Sequence, residues 1–461
     1  MTSLIQNSPR QTWGIRLIGS IATLFLVWSA GGTSPSNAAT YYVSPNGSDS
    51  NPGSQALPWK SISKAASTLA AGDVAIIRDG TYTEPQIQFA NSGTASQPIV
   101  VRAENKHQAV LSSTSGCNPN ISILGSYVTI EDLRSSISPD NVPCGSHNSA
   151  DGTGVRCWHT NPATPSNPST GSMGCIVRGM LFDASPARSH AVKTSQDFSV
   201  VENCVSNSGI ESFNNYGAVF RNNVIIGGDA WDTSLVAKGG VRNFEAYNNL
   251  VRIRSKWGVG IVVGGKTGTQ WLYDSSSGIE AYNSVAYNNV VLDESGSGSG
   301  AQSLGMMGAK DSLLFNNIVQ GGQLFLQPGY AGVASTNPAI KNNIVACLDN
   351  ALLGQWSYAG TLNLDYNNFY NCSAFPPQVH PIAGNPLFVD SRSDWHLTPG
   401  SPAIGKGTPI TAIGFKGETL TVNKDRDGKL RATPWDLGIY ATNDSVADTS
   451  APKPPVIVSI W

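Results

Sequence analysis

The stretch best equipped for chemistry runs from Gly227 to Gly240. It holds two carboxylates three residues apart, Asp229 and Asp232, and then Lys238 ahead of Gly239-Gly240. Closely spaced carboxylate oxygens are hard ligands, and with Glu211 they make a candidate calcium (Ca2+) cluster. In the run Ser234 to Lys238, alternation puts Leu235 and Ala237 on one face and Ser234, Val236 and Lys238 on the other. Leucine and alanine suit an interior, so Lys238 is expected to face outward, where an amine can act as a base. The plainer alternative makes the Asp pair turn residues and Lys238 a solvated strand end.

What must position these residues is a short repeated phrase. It reads Val201-Glu202-Asn203-Cys204, Arg221-Asn222-Asn223-Val224, Tyr247-Asn248-Asn249-Leu250 and Tyr287-Asn288-Asn289-Val290, then Phe315-Asn316-Asn317-Ile318, Lys341-Asn342-Asn343-Ile344 and Tyr366-Asn367-Asn368-Phe369. Taking the second Asn at 203, 223, 249, 289, 317, 343 and 368 gives steps of 20, 26, 40, 28, 26 and 25 residues. A period in the twenties marks one supersecondary unit that buries its apolar side only against neighbouring copies. Residues around each Asn alternate or are β-branched, as strands require. Asn tolerates left-handed corners and its amide can stack on the next copy. The fold class is therefore all-β, a right-handed parallel β-helix of about ten coils.

The repeat also says which residues meet. Counting eleven back from each Asn places Glu211 and Ser212 beside Lys238 one strand spacing, about 4.8 Å, away. His190 and Lys193 belong to the coil before, and are candidate substrate contacts. Arg252 follows Lys238 on the far side of its own coil. The 40-residue step holds an excursion, Gly265 to Ser277, whose Trp271 suits stacking on a sugar face. A second irregular stretch, residues 136–173, is rich in Ser, Pro, Asn and Gly and is expected to wall a groove.

The two ends of the repeat carry a resemblance. Tyr41-Tyr42-Val43-Ser44-Pro45-Asn46-Gly47 through Ala71-Gly72-Asp73-Val74 to Asp79-Gly80-Thr81-Tyr82 resembles the opening of secreted β-helix proteins of the pectate-lyase-like superfamily. Asn385-Pro386-Leu387-Phe388, Trp395-His396-Leu397 and Asp425-Arg426-Asp427-Gly428 resemble its closing segment. Ile62, Ala65, Ala66 and Leu69 fall at helical spacing, so a helix is expected to plug the open first coil. Asp229, Asp232 and Ala237-Lys238-Gly239-Gly240 are similar, in part, to the calcium-site and lysine segments of family nine pectate lyases. The resemblance implies an acidic polysaccharide as partner and β-elimination as the reaction, with Lys238 as base and calcium neutralising the uronate carboxylate. Two other readings stand beside it: a glycoside hydrolase, which needs paired carboxylates, and a non-catalytic carbohydrate-binding solenoid.

Charged residues make up 13% of 461 and net charge is −2, which leaves nothing to attract nucleic acid. Arg10 and Arg16 precede an apolar run and then Ser36-Asn37-Ala38, so residues 1–38 are expected to be a cleaved signal peptide and the mature monomer secreted or periplasmic, off the membrane. Residues 39–441 form the β-helix domain, with an N-terminal cap (39–104) and a closing segment (380–441), and 442–461 a flexible tail. Of seven cysteines, Cys117, Cys144, Cys157 and Cys175 suit stapling the insertion, Cys347 and Cys372 lie one coil apart, and Cys204 reads as buried.

Overall fold

The computed structural model describes residues 38–442, except 114–118, 138–152, 160–162, 168–170, 185–189, 228–232, 297–300, 348–353, 418 and 421. All but the last residue of the expected signal peptide, all but the first of the tail, and the calcium candidates Asp229 and Asp232 lie outside the described residues.

The chain winds through parallel sheets of 12, 11, 9 and 5 strands. One turn shows the order. Glu245–Tyr247 lies in the 12-stranded sheet, Leu250–Ile253 in the 11-stranded sheet, Val259–Gly264 in the nine-stranded sheet and Ala281–Tyr282 in the short one. Val285–Tyr287 then returns to the start one strand further along, paired with Glu245–Tyr247. Twelve strands in the longest sheet mean more turns than the ten expected. Inward residues from successive turns fuse into a single apolar column running from Val43 to Leu364. At the open first turn, the helix Ile62–Thr68 buries Ile62, Ala65 and Ala66 into that column. Ser61 caps it by accepting from the Lys64 amide, and Glu84 accepts from the Ile62 and Ser63 amides.

The Asn phrase forms the corner between the 12- and 11-stranded sheets. Its first residue is left-handed, with φ near 55° at Asn203, Asn222, Asn248, Asn288 and Asn342. Its second forms a buried amide ladder. Asn249 donates through Nδ2 to Asn289 Oδ1 at 2.9 Å, Asn289 to Asn317 at 3.0 Å, and Asn317 to Asn343 at 3.0 Å. Each Oδ1 also accepts a backbone N–H from the coil before, so the buried amide is fully used. The structure corrects the phase at both ends. Asn203 takes the left-handed place, and the Cys204 amide donates to Asn223 Oδ1, so Cys204 stands where the ladder Asn would be. At the other end Tyr366 is left-handed and Asn367, not Asn368, accepts from Asn343.

Residues 378–442 run back along the side of the coils as a strap, which differs from the expected end cap. Side-chain amides of the left-handed asparagines hold it: Asn342 donates to Thr408 O, Asn316 to Gly438 O and Asn288 to Lys424 O. Buried Arg426 donates in return to the Asn249 and Asn288 carbonyls. Trp395, Leu397, Leu437 and Ile439 cover Leu250, Val290, Ile318 and Ile344 on the outer face of the 11-stranded sheet. Disulfides join Cys157 to Cys175 and Cys347 to Cys372, while Cys204 is a buried thiol. Cys117 and Cys144 lie outside the described residues. Among the described residues no helix is long and apolar enough to cross a membrane.

Candidate functional site

Lys238 ends the strand Thr233–Lys238 of the nine-stranded sheet. Leu235 and Ala237 sit in the core, and Lys238 points outward with its side chain 26% exposed. Its register partner is Phe213, with Glu211 opposite Val236, one residue from the placement expected by counting. The reason lies in the turn: Gly239-Gly240-Val241 spans a gap that Asn214-Asn215 spans in the preceding coil, before Tyr216 rejoins Arg242.

Glu211 is the hub of the site. It lies directly beside Lys193 on the neighbouring strand, and a register shift at Ala191 brings His190 opposite Gly209. Its side chain is 1% exposed, yet three basic groups reach it. Lys193 Nζ is 2.8 Å from Oε1, Lys238 Nζ 2.9 Å from Oε2, and His190 Nε2 3.3 Å from Oε2. Burial alone would raise the carboxyl pKa. The charges of Lys193, Lys238 and His190 outweigh that and hold it well below the usual carboxylate range. Glu211 is therefore ionised at any working pH and has no proton to give.

The same sheet face continues through Arg156, the register partner of Lys193. Its strand, Val155–Cys157, lies inside the stretch read from sequence as an irregular insertion. The Arg156 guanidinium stacks over Trp158 at 3.8 Å, and burial lowers its pKa from the ordinary value. Lys193 Nζ sits 5.5 Å from the centre of the Phe213 ring. Arg156, Trp158 and Phe213 were not candidates on sequence. Only the alternation Val155-Arg156-Cys157-Trp158 signals this strand, and three residues are too few to separate from a loop.

The turn after Lys238 is fixed from below by Glu280, which is fully buried. Its carboxylate accepts from the Gly239 amide at 3.1 Å and the Thr267 amide at 2.5 Å. Gly239 and Gly240 have φ of 78° and 82°, and a Cβ on Gly240 would sit 2.4 Å from Tyr273 Cβ. Both need glycine. Gly265 lies against the Lys238 stem, so the excursion 265–277 packs on that side of the lysine. Trp271 on this excursion is 55% exposed.

The structure thus gathers Lys238, Glu211, Lys193 and His190. Arg252 does not join them: it lies in the 11-stranded sheet and pairs with Glu294 at 2.6 Å. Glu211 does not fit a calcium ion, because both its oxygens face ammonium groups whose charge opposes a cation. Among the described residues no group of three or more His, Cys, Asp or Glu is arranged to hold a metal.

This fold and face define a class. The chain folds as a right-handed parallel β-helix, and its first part is similar to pectate lyases. Residues 41–164 match the family described as Pel9A-like, right handed beta helix region. The chain is 43% identical over 75 residues to pectate lyase PEL9 of Emericella nidulans, covering 16% of this chain and 18% of that protein. It is 39% identical over 77 residues to pectate lyase L of Dickeya dadantii, 15% of this chain and 18% of that one. The matches thus span under a fifth of these curated relatives. Among solved structures, pectate lyase Pel9A has a TM-score of 0.52 at 17% identity, covering 88% of this chain and 96% of its own. XylC, in complex with xylose, has 0.53 at 10% identity, covering 88% of this chain and 98% of its own.

Proposed function

We propose that this chain is a secreted polysaccharide lyase that cleaves a uronate-containing glycan by β-elimination. One observation carries the reading. Among the described residues of this outward sheet face, Arg156, Lys193 and Lys238 stand near one carboxylate, Glu211, which leaves a surplus of two positive charges with Lys238 protonated and of one with Lys238 as the amine, before His190 is counted. Such a surplus suits an anionic sugar and would repel none of its carboxylates.

In the reaction, the uronate carboxylate lies against Lys193 and Arg156, which withdraw charge and acidify the C5 proton. Lys238 in its amine form takes that proton. The electron pair forms the C4–C5 double bond, the C4–O bond breaks, and water protonates the leaving oxygen. Calcium remains a proposal for Asp229 and Asp232 alone, and no step is assigned to it.

The hydrolase alternative needs a carboxylic acid able to donate a proton, and ionised Glu211 is unsuited to that role. The experiment is incubation with a panel of uronans, with and without calcium, read at the absorbance of the unsaturated product. Lys238→Ala should remove that product. Reducing ends without the absorbance would instead support hydrolysis, and neither signal would leave a binding solenoid.

A further inference from the structure

We infer that the Glu211 cluster is a metal-independent carboxylate-binding subsite, in which Lys193 and Arg156 contact the sugar acid directly and Glu211 holds the lysines in place. It rests on the reading of an acidic glycan substrate and adds how the acid group is recognised.

Three observations point the same way. Among the described residues the central carboxylate is Glu211, and each of its oxygens faces an ammonium group, Lys193 or Lys238, whose charge opposes a divalent ion. The ammonium of Lys193 is held from one side by Glu211 and bordered on another by the Phe213 ring, with its side chain only 11% exposed. A lysine this restricted has lost most of its rotamer freedom before any ligand arrives, so binding does not have to order it. Next along the sheet, Arg156 is flattened against Trp158, and its buried Nε meets no hydrogen-bond acceptor among the described residues. A buried guanidinium N–H without an acceptor is costly, and a carboxylate oxygen would satisfy it. Adjacent strands are about 4.8 Å apart, so Lys193 and Arg156 are spaced to hold one carboxylate between them. The aromatic rings of Trp158 and Phe213 lie against these two cations and hold them in place.

The role of Glu211 differs from that of a ligand. Without it, Lys193 and Lys238 would repel each other and swing toward solvent. With it, two ammonium groups are fixed near one point while the site keeps its positive surplus. Glu211 is a positioning residue, and Lys193 and Arg156 are the contacts.

The test is calorimetric titration of the full-length mature protein with saturated oligogalacturonate and, separately, with oligomannuronate and oligoguluronate. Each is run in excess EDTA and again in calcium. At least one uronate oligomer should bind in EDTA, with a Kd within about twofold of that in calcium. Lys193→Met should weaken it about tenfold or more, and Lys193→Arg should restore most of the loss. Arg156→Gln should weaken it similarly while leaving the melting temperature near that of the parent. Neutral oligosaccharides of the same length should bind no tighter in the parent than in Lys193→Met. The inference is overturned if binding vanishes in EDTA, if no uronate oligomer binds in either condition, or if Lys193→Met and Arg156→Gln both bind like the parent. Binding in EDTA without any unsaturated product overturns the lyase reading and leaves the subsite standing. Product formation with strictly calcium-dependent binding does the reverse.

Discussion

Replacing Glu211 by Gln tests the hub of the site through stability, without needing a substrate. At an effective dielectric constant of 20, each of the 2.8 and 2.9 Å ion pairs is worth a gross ~6 kcal/mol. Desolvation of a fully buried carboxylate offsets most of this. Removing one partner from a buried ionic cluster costs ~3–5 kcal/mol net. Lys238 is 26% exposed and can recover water, so the lower end, ~3 kcal/mol, is expected. Roughly 360 described residues at ~2.1 cal/mol/K each give an unfolding entropy of ~0.75 kcal/mol/K, so the melting point should fall by about 4 °C at pH 7. The pH dependence follows from the carboxyl pKa being depressed in the fold. Its contribution is complete above the unfolded value of about 4.3 and is lost as pH falls toward the lower folded value. The gap between parent and Glu211→Gln should therefore be constant from pH 8 to about 5 and narrow below about 4. Thermal melts across that range measure it. An unchanged melting point at pH 7, or a gap that stays flat to pH 3, would refute the account of Glu211 as an ionised hub.

Other consequences are equally direct. Asn289→Ala removes four hydrogen bonds of a buried amide and leaves neighbouring groups without partners, so denaturant unfolding should show a loss of ~3 kcal/mol or more. Burial pushes the Cys204 thiol up to about 12, so its peptide should stay unlabelled by iodoacetamide in native protein at pH 8 and become labelled in denaturant, as read by mass spectrometry. Glu280→Ala should release the Gly239 and Thr267 amides and, on the proposed lyase reading, lower turnover about tenfold or more while far-ultraviolet circular dichroism is unchanged.

The architecture was legible because the repeat encodes it twice, in the spacing of the Asn phrase and in strand alternation. Leu235 and Ala237 inside with Lys238 outside follows from alternation alone. The phase of the first and last copies was not legible. A left-handed corner accepts Asn203 readily and Tyr366 only because its surroundings hold it, so the letters there do not reveal the register. The convergence on Glu211 was half legible. Coil spacing brings Lys193, Glu211 and Lys238 together, but His190 arrives through a register shift that no pattern announces. Glu211 looked like a metal ligand because a sequence shows a carboxylate without showing the cations that consume it. Arg156 was hidden because its three-residue strand sits among residues with loop composition.

The strap along the left-handed asparagines changes what kind of object this solenoid is. In a bare stack each coil touches only its neighbours, and stability spreads by nearest-neighbour coupling. Here one late segment grips Asn249, Asn288, Asn316, Asn342 and Asn368 at once, a cross-tie bridging coils far apart in the stack. Loss of any one coil in that span costs the strap its seat on the others. The coils from Asn249 to Asn368 should therefore exchange their amide hydrogens as one cooperative block, and the winding must finish before the strap of residues 378–442 can lock it.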